Sequence, residues 1–160
     1  MTGYHMRRKD REISDPAELR RILREGKYAV IAMCRGNEPY VVTLSYGYDQ
    51  SEHACYFHAA LQGQKIEFIR ENPQVCATVI EDGGYLADQC AHRYATVVLR
   101  GEMTLLQDRA EKEHGLNVIL NQLERNPAPI KARTVKDPAA YDRVAVLRLA
   151  IRDCSGKRGS

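Results

Sequence analysis

The feature that most constrains this fold is a series of strand-like segments that follow one another with little helix between them. In the clearest, EPYVVTLSYGYD at residues 38–49, large apolar or aromatic residues alternate with Val, Thr, Ser and Gly. A period of two is typical of a strand with one buried face. Strands joined without crossover helices pair antiparallel, and closure into a barrel removes the exposed edges. We therefore predict a mainly β domain, α+β by content, with six antiparallel strands forming a barrel. The predicted strands are residues 28–34, 40–49, 54–60, 74–82, 94–106 and 143–153.

Short helices are predicted beside the barrel. Asp15, Pro16 and Glu18 have the spacing of a capping box, so a helix should begin there and end at Gly26 in a left-handed conformation. A second short helix should follow Gly63 and end at Asn72.

A third helix is predicted after Asp108, with Glu111 completing the capping-box spacing; it should be about 15 residues long and end near Leu123. Residues 83–93 are predicted to be a loop, and residues 124–142 the longest irregular stretch. Gly101 is expected at a bulge or sharp bend in its strand.

Composition limits the class of protein. The 160 residues suit one domain, so we predict a single domain over residues 1–160 with a loose tail at 155–160. No segment approaches the roughly 20 apolar residues of a membrane span. The net charge of +3 is spread among interspersed acids and bases, so we expect neither a membrane nor a nucleic-acid partner. Five scattered cysteines favour the reducing cytoplasm over a secreted disulfide framework.

One segment, YFHAALQGQK, has the form of an anion site. A strand ends at His58, the chain turns at Gly63, and Lys65 falls in the first turn of a helix. Free backbone N–H groups and an ammonium at a helix N-terminus attract a phosphate. The alternative is an ordinary solvated lysine, and spacing alone favours it.

Other polar residues give weaker signals. Thr43 and Ser45 share one side of an otherwise apolar strand and could hydrogen-bond the edge of a planar heterocycle, or simply form a half-exposed face. Cys90 and His92 stand two apart, but no CxxC or HExxH pattern is present, so we predict no metal site. We assign no catalytic residue, and the role of His58 stays open.

Six segments together resemble the FMN-binding split-barrel superfamily typified by pyridoxamine 5′-phosphate oxidase, and within it the nitroimidazole-resistance, or flavin-nucleotide-binding, family. The resemblance runs from about Met6 to Lys157. It is carried by MRRKDREISD, PYVVTLSYGYD, YFHAALQGQK, ENPQVCATVIE, CAHRYATVVLRGE and CSGKR. It implies a six-stranded antiparallel split barrel and a homodimer with a flavin in each groove between subunits.

The resemblance also implies which residues contact FMN. One strand lines the isoalloxazine ring and the ribityl chain, the end of the next strand runs beneath the cofactor, and a lysine pairs with the phosphate. The partner subunit contributes from the segment HRYATV. The residues along the ring and the ribityl chain are Thr43, Leu44, Ser45 and Tyr46. Those beneath the cofactor are His58, Ala59 and Ala60, and the lysine is Lys65. The partner subunit contributes Arg93, Tyr94 and Thr96.

The implied activity is that of an FMN-dependent oxidoreductase that takes electrons from NAD(P)H or another small donor and passes them to a small aromatic acceptor such as a nitro compound. A flavin brings its own redox chemistry, so no triad or paired acids are needed. The alternative is a protein that carries flavin or haem without turnover. FAD in place of FMN is also left open. A pyridoxamine phosphate oxidase proper is disfavoured because the chain lacks the arginine-rich tail of that enzyme.

Overall fold

The computed structural model describes residues 6–159, which form seven strands and four α-helices. The strands are β1 (Glu12–Ile13), β2 (Tyr28–Arg35), β3 (Glu38–Asp49), β4 (Ala54–Ala59), β5 (Gln74–Leu86), β6 (Ala91–Leu105) and β7 (Ala145–Gly159). The helices are α1 (Pro16–Glu25), α2 (Gln64–Glu71), α3 (Arg109–Leu123) and α4 (Pro127–Thr134), with 3-10 turns at Lys9–Arg11 and Pro138–Arg143.

Six of the strands close into a barrel. The order is β7, β4, β3, β2, β5, β6, and β6 pairs back to β7, with every pairing antiparallel. The predicted six-stranded antiparallel split barrel is confirmed. The short β1 adds a seventh strand beside the end of β7, where Glu12 lies opposite Lys157. Two residues are too few to show an alternation, so this strand was not predicted.

Helices α1 and α2 contribute to the barrel core. Ile22 and Leu23 of α1 are buried in it. Ile66, Phe68 and Ile69 of α2 join the same core. The Phe68 ring lies 5.2 Å from the Tyr40 ring of β3. The prediction that α2 ends at Asn72 is also confirmed.

Helix α3 covers the outer surface of β4 and the adjoining parts of β3 and β7. It begins as predicted, with the Asp108 carboxylate accepting the N–H of Glu111, and it ends at Leu123. Two glycines allow the close approach: a Cβ on Gly47 would come within 2.6 Å of the α3 backbone, and one on Gly115 within 2.7 Å of the Tyr56 ring.

Two local predictions are wrong. Gly26 has φ −62°, so α1 does not end in a left-handed residue. Space explains the glycine instead, because a Cβ there would lie 2.4 Å from the Tyr46 hydroxyl. Residues 83–93 are not a loop, because β5 and β6 continue as a hairpin to Leu86 and from Ala91. The register shifts between Asp82 and Tyr85, and this irregularity hides the strand pattern in the sequence.

The last part of the chain is more ordered than predicted. Residues 124–142 contain α4 and a 3-10 turn, because a proline at the start of each fits the first turn of a helix. Residues 155–159 are not a loose tail: they belong to β7 and pair with β6, and Gly156 and Lys157 pair with β1 as well. The predicted bulge at Gly101 is confirmed by a register shift between Arg100 and Gly101.

Candidate functional site

Strands β3 and β4 separate halfway along their length. Their last paired residues are Tyr46 and Phe57. Before this point β3 pairs only with β2 over residues 38–45, and beyond it β4 pairs only with β7 through His58 and Ala59. The barrel wall is therefore split here, and one edge of each strand is left without a strand partner.

The split lies between several of the residues predicted to bind a cofactor. Ser45 directly precedes the last pair on β3 and His58 directly follows it on β4, and both side chains are exposed. The chain continues from β4 through the exposed Ala60 and Gly63 into helix α2. Ser45 and His58 therefore lie on the two strands that border the split.

Lys65 lies in the first turn of α2, at the end of this loop. Gly63 has φ 130°, and its carbonyl oxygen accepts the N–H groups of Ile66 at 2.9 Å and Glu67 at 3.2 Å. Across residues 6–159, the ammonium of Lys65 finds no hydrogen-bond acceptor and no carboxylate within ion-pair distance. A half-buried cation without a partner at a helix N-terminus can bind an anion.

Strand alternation divides the predicted segment 43–46 into two pairs. The side chains of Thr43 and Ser45 are exposed on the outer surface. Leu44 and Tyr46 point into the core, and Tyr46 is fully buried, with its hydroxyl donating to the carbonyl of Leu23 at 2.6 Å. Burial raises the pKa of Tyr46. Only the backbone of Tyr46 is left for contact with a ligand, whereas the side chain of Leu44 is partly exposed.

A broad outer face of the barrel is not covered by α3, and we call it the open face. It is made of outward side chains that lie opposite one another in the strand register: Tyr28, Val30 and Ala32 of β2, Val41, Thr43 and Ser45 of β3, Cys76, Thr78 and Ile80 of β5, and Thr96 and Val98 of β6. Tyr28, Val41 and Ile80 are 49%, 58% and 41% exposed. Exposed apolar side chains grouped on one surface are typical of interaction sites. Sequence analysis missed it, although the alternation of the strands carried the signal.

Arg93, Tyr94 and Thr96 lie away from the split within one chain, because β2 and β5 separate β6 from β3. Thr96 is on the open face, and its hydroxyl donates to the Lys157 carbonyl at 3.4 Å. The Tyr94 ring packs on Gly159, where a Cβ would come within 2.4 Å. Arg93 is exposed. In a single chain these three residues therefore belong to a strand that pairs with β5 and β7 and does not border the split.

His58 also lines a second space that sequence analysis did not predict. This cleft has a volume of about 400 Å³ and lies between α3, α4 and the 3-10 turn at Pro138–Arg143. Its other walls are mainly apolar, including Leu116, Leu120 and Ile130. The cleft was missed because the segment that forms one wall was predicted to be irregular.

The structure also bears on metals and membranes. No group of three or more His, Cys, Asp or Glu side chains between residues 6 and 159 is arranged to hold a metal ion. His92 instead contacts the Asp82 carboxylate at 2.7 Å, and this hydrogen bond lowers the pKa of Asp82. None of the helices in the described part of the chain has the length and apolar character needed to cross a bilayer.

The family model described as pyridoxamine 5′-phosphate oxidase matches residues 15–158. Among curated proteins, an uncharacterized protein of Rhizobium meliloti (strain 1021) is 31% identical over 64 residues. That match covers 40% of this chain and 40% of the relative.

Solved structures share the fold at low sequence identity. A protein of Bacteroides thetaiotaomicron described as a 5-nitroimidazole antibiotic resistance protein is 22% identical, with a TM-score of 0.79 over 92% of this chain and 86% of that one. The flavocytochrome Anf3 of Azotobacter vinelandii is 20% identical, with a TM-score of 0.81 over 97% and 72%. The FAD and heme binding protein of Mycobacterium smegmatis is 17% identical, with a TM-score of 0.77 over 94% and 74%. At these identities the likeness is one of fold.

Proposed function

Because the chain belongs to the pyridoxamine 5′-phosphate oxidase family, we propose that it binds FMN at the split between β3 and β4. The observation that carries the proposal is Lys65, an ammonium without a partner among residues 6–159, at the helix N-terminus beside the split. Lys65 and the backbone N–H groups of the first turn would hold the phosphate. Thr43 and Ser45 would offer hydroxyls to the ribityl chain or ring edge, with His58, Ala59 and Ala60 beneath the cofactor.

The proposal includes a homodimer formed through the open face. Isologous dimers place the same patch of each subunit against the other. Such a contact covers the exposed side chains of Tyr28, Val41 and Ile80. It also supplies what one chain lacks, because Arg93, Tyr94 and Thr96 of the partner subunit would reach the flavin groove. The flavin would then lie between the subunits.

The activity we propose is transfer of electrons from NAD(P)H or another small donor to a small aromatic acceptor such as a nitro compound. The flavin supplies the redox chemistry when bound. The protein's own residues bind and orient the phosphate and the ring edge. The apolar cleft of about 400 Å³ that His58 lines is large enough for a compact aromatic acceptor, and His58 would contact both the acceptor and the cofactor. We place the protein in the cytoplasm, where its five free thiols would stay reduced.

Turnover tests this activity directly. Flavin-loaded protein is mixed with NADPH or NADH under anaerobic conditions, and the flavin absorbance is followed before and after addition of a nitroaromatic acceptor. Bleaching by the nucleotide and recovery with the acceptor are the expected result. A flavin that is neither reduced by the donors nor reoxidised by the acceptor would overturn the enzymatic proposal and leave flavin binding to be judged separately.

The second candidate is a carrier of flavin or haem without turnover. It is favoured by the lack of a carboxylate among the described residues predicted to contact the cofactor, whose titratable members are Tyr46, His58, Lys65, Arg93 and Tyr94. His58 is exposed and offers an imidazole to haem iron or to solvent equally. Rapid reduction of the bound flavin by a nicotinamide nucleotide in stopped flow would count against a carrier.

A further inference from the structure

A small cavity lies next to the loop that leads into α2. Its volume is about 230 Å³, and it lies between that loop, α2, the end of β6 and the first turn of α3. Leucine and alanine side chains form part of the wall, and the polar lining consists of Gln62, Arg70, Gln107 and Lys112. Two cations, two amides and no carboxylate therefore surround this space.

Lys112 is the unusual member of this group. It is only 8% exposed, and its ammonium donates to the carbonyl oxygens of Tyr141 at 3.1 Å and Val144 at 3.3 Å. Within residues 6–159 no carboxylate lies within 4 Å of it. An ammonium has three N–H donors, and a buried charge is costly unless it is paired. The two carbonyl oxygens use two of the three donors, and no carboxylate of residues 6–159 balances the positive charge.

Arg70 adds a second positive charge to the cavity. It is exposed in the last turn of α2, and no carboxylate of the described residues forms an ion pair with it. The acidic residues of α2 face elsewhere, since Glu67 and Glu71 lie 3.8 and 3.5 Å from the Arg35 guanidinium. The charge of the cavity is thus not neutralised by the helix that carries Arg70.

The acids near Lys112 on α3 do not neutralise the cavity either. Asp108 uses its carboxylate to cap the helix, accepting the N–H of Glu111 at 3.0 Å. Glu111 is exposed and lines an adjoining cleft between α3 and the outer surface of the barrel, which shares Gln107 with this cavity. Neither residue belongs to the wall of the cavity that contains Lys112.

We propose that this cavity binds the oxyanion of a small ligand, a phosphate or carboxylate group, with Arg70 and Lys112 supplying the charge and Gln62 and Gln107 supplying amide donors. The cavity volume exceeds that of a phosphate or carboxylate group alone and leaves room for the rest of a small organic ligand. The wall of this cavity does not include Ser45, His58 or Lys65, the residues placed at the flavin groove. Its anion comes either from a separate ligand or from the second phosphate of a dinucleotide such as FAD.

Inorganic phosphate is the probe. It is titrated into the purified protein at constant ionic strength, with chloride as the comparison, and the midpoint of thermal unfolding is followed. The variants Arg70→Gln and Lys112→Met remove the two charges. Lys65→Ala tests the flavin groove, and Arg133→Gln removes an exposed charge on α4 as a matched control.

Phosphate should raise the midpoint of the wild type and of Arg133→Gln to the same extent. Lys65→Ala should keep a rise, because the cavity is unchanged when the anion site of the flavin groove is removed. In Arg70→Gln and Lys112→Met, the concentration that gives half the rise should increase about tenfold or more, because a charge-assisted hydrogen bond is lost. If Lys112→Met does not fold because two carbonyls lose their donor, Arg70→Gln decides, since that side chain is exposed.

The proposal is overturned if phosphate acts no differently from chloride, if Arg70→Gln keeps the full response, or if Lys65→Ala loses the response instead. The source of the anion follows from the affinities of FMN and FAD for Arg70→Gln. If Arg70→Gln binds FAD more weakly than the wild type but binds FMN equally well, the anion is the second phosphate of the dinucleotide. Unchanged binding of both flavins, with the phosphate response lost, identifies a separate ligand.

Discussion

The hydroxyl of Tyr46 donates a 2.6 Å hydrogen bond to the carbonyl oxygen of Leu23, and this contact ties the centre of β3 to helix α1. The same carbonyl accepts the side-chain amide of Gln122 at 3.1 Å. The amide also donates to the Gly26 carbonyl at 2.7 Å, so α3 is joined to the same point. The strand that forms one wall of the split is thereby held from inside the barrel.

Replacing Tyr46 with Phe should lower the free energy of unfolding by about 1 kcal/mol, the usual net value of a buried hydrogen bond. The cost stays near this value because the Leu23 carbonyl keeps its bond from Gln122. Urea unfolding measures it. Tyr85→Phe, on a ring that is 63% exposed, should change nothing and serves as the control. A Tyr46→Phe protein as stable as the wild type would show that the hydroxyl does not hold the strand.

Asp49 should make the stability of the protein depend on pH in the acid range. Partial burial acts to raise the pKa of its carboxyl, but hydrogen bonds from Ser51, Glu52 and His114 outweigh this, and the pKa is lowered. A lowered folded pKa contributes stability that is complete above the unfolded value, about 3.9, and is lost as the pH falls through the folded value.

The thermal midpoints of the wild type and Asp49→Asn should therefore differ most above pH 5, and the difference should shrink toward pH 2. The exposed Asp88, which forms no hydrogen bond with the described residues, gives the control Asp88→Asn. That control should track the wild type at every pH. A difference between wild type and Asp49→Asn that stays constant from pH 7 to pH 2 would remove Asp49 as a source of acid sensitivity.

Replacing Lys65 with Ala should weaken FMN binding by about 1.5 to 3 kcal/mol, or roughly ten- to a hundredfold, because a charge-assisted phosphate contact is lost. Fluorescence quenching of added FMN gives the dissociation constant. Lys136→Ala removes an exposed lysine far along the chain and should bind FMN like the wild type. Equal affinity in Lys65→Ala and Lys136→Ala would take Lys65 out of the site.

A charge at the centre of the open face should separate the subunits. Val30 lies opposite Thr43 on one side and Thr78 on the other. Burying a carboxylate there on association is costly, so Val30→Glu should shift the mass measured by sedimentation from about twice the 18.2 kDa of the chain toward 18.2 kDa. Asn121→Glu, on the exposed side of α3, adds the same charge and should keep the wild-type mass. A wild-type protein that sediments as a monomer would contradict the dimer.

Periodicity explains what the sequence predicted well. The alternation in residues 38–49 defines β3 and its buried side, and it correctly placed Thr43 and Ser45 on the outer surface. The cap at Asp108 and the apolar spacing of α2 likewise predicted two helices. These are local signals that each segment carries by itself.

Long-range contacts explain what the sequence did not predict. The strand at Lys157 forms because β1 and β6 pair on either side of it, and nothing in its own residues shows those partners. Gly26 was expected to bend the backbone, whereas its role is to make room for Tyr46. The cavity at Lys112 is assembled from three regions that are far apart in the chain, residues 61–70, residues 105–112 and Ala145, so no motif marks it.

The absorption spectrum of the freshly purified protein between about 300 and 700 nm, followed by chromatography of the cofactor released by heat, tests flavin binding most directly. The account predicts the two bands of an oxidised flavin and the release of FMN. A sharp Soret band without flavin bands would indicate haem instead. A colourless protein that also fails to bind added FMN would contradict the central claim, and only the fold would stand.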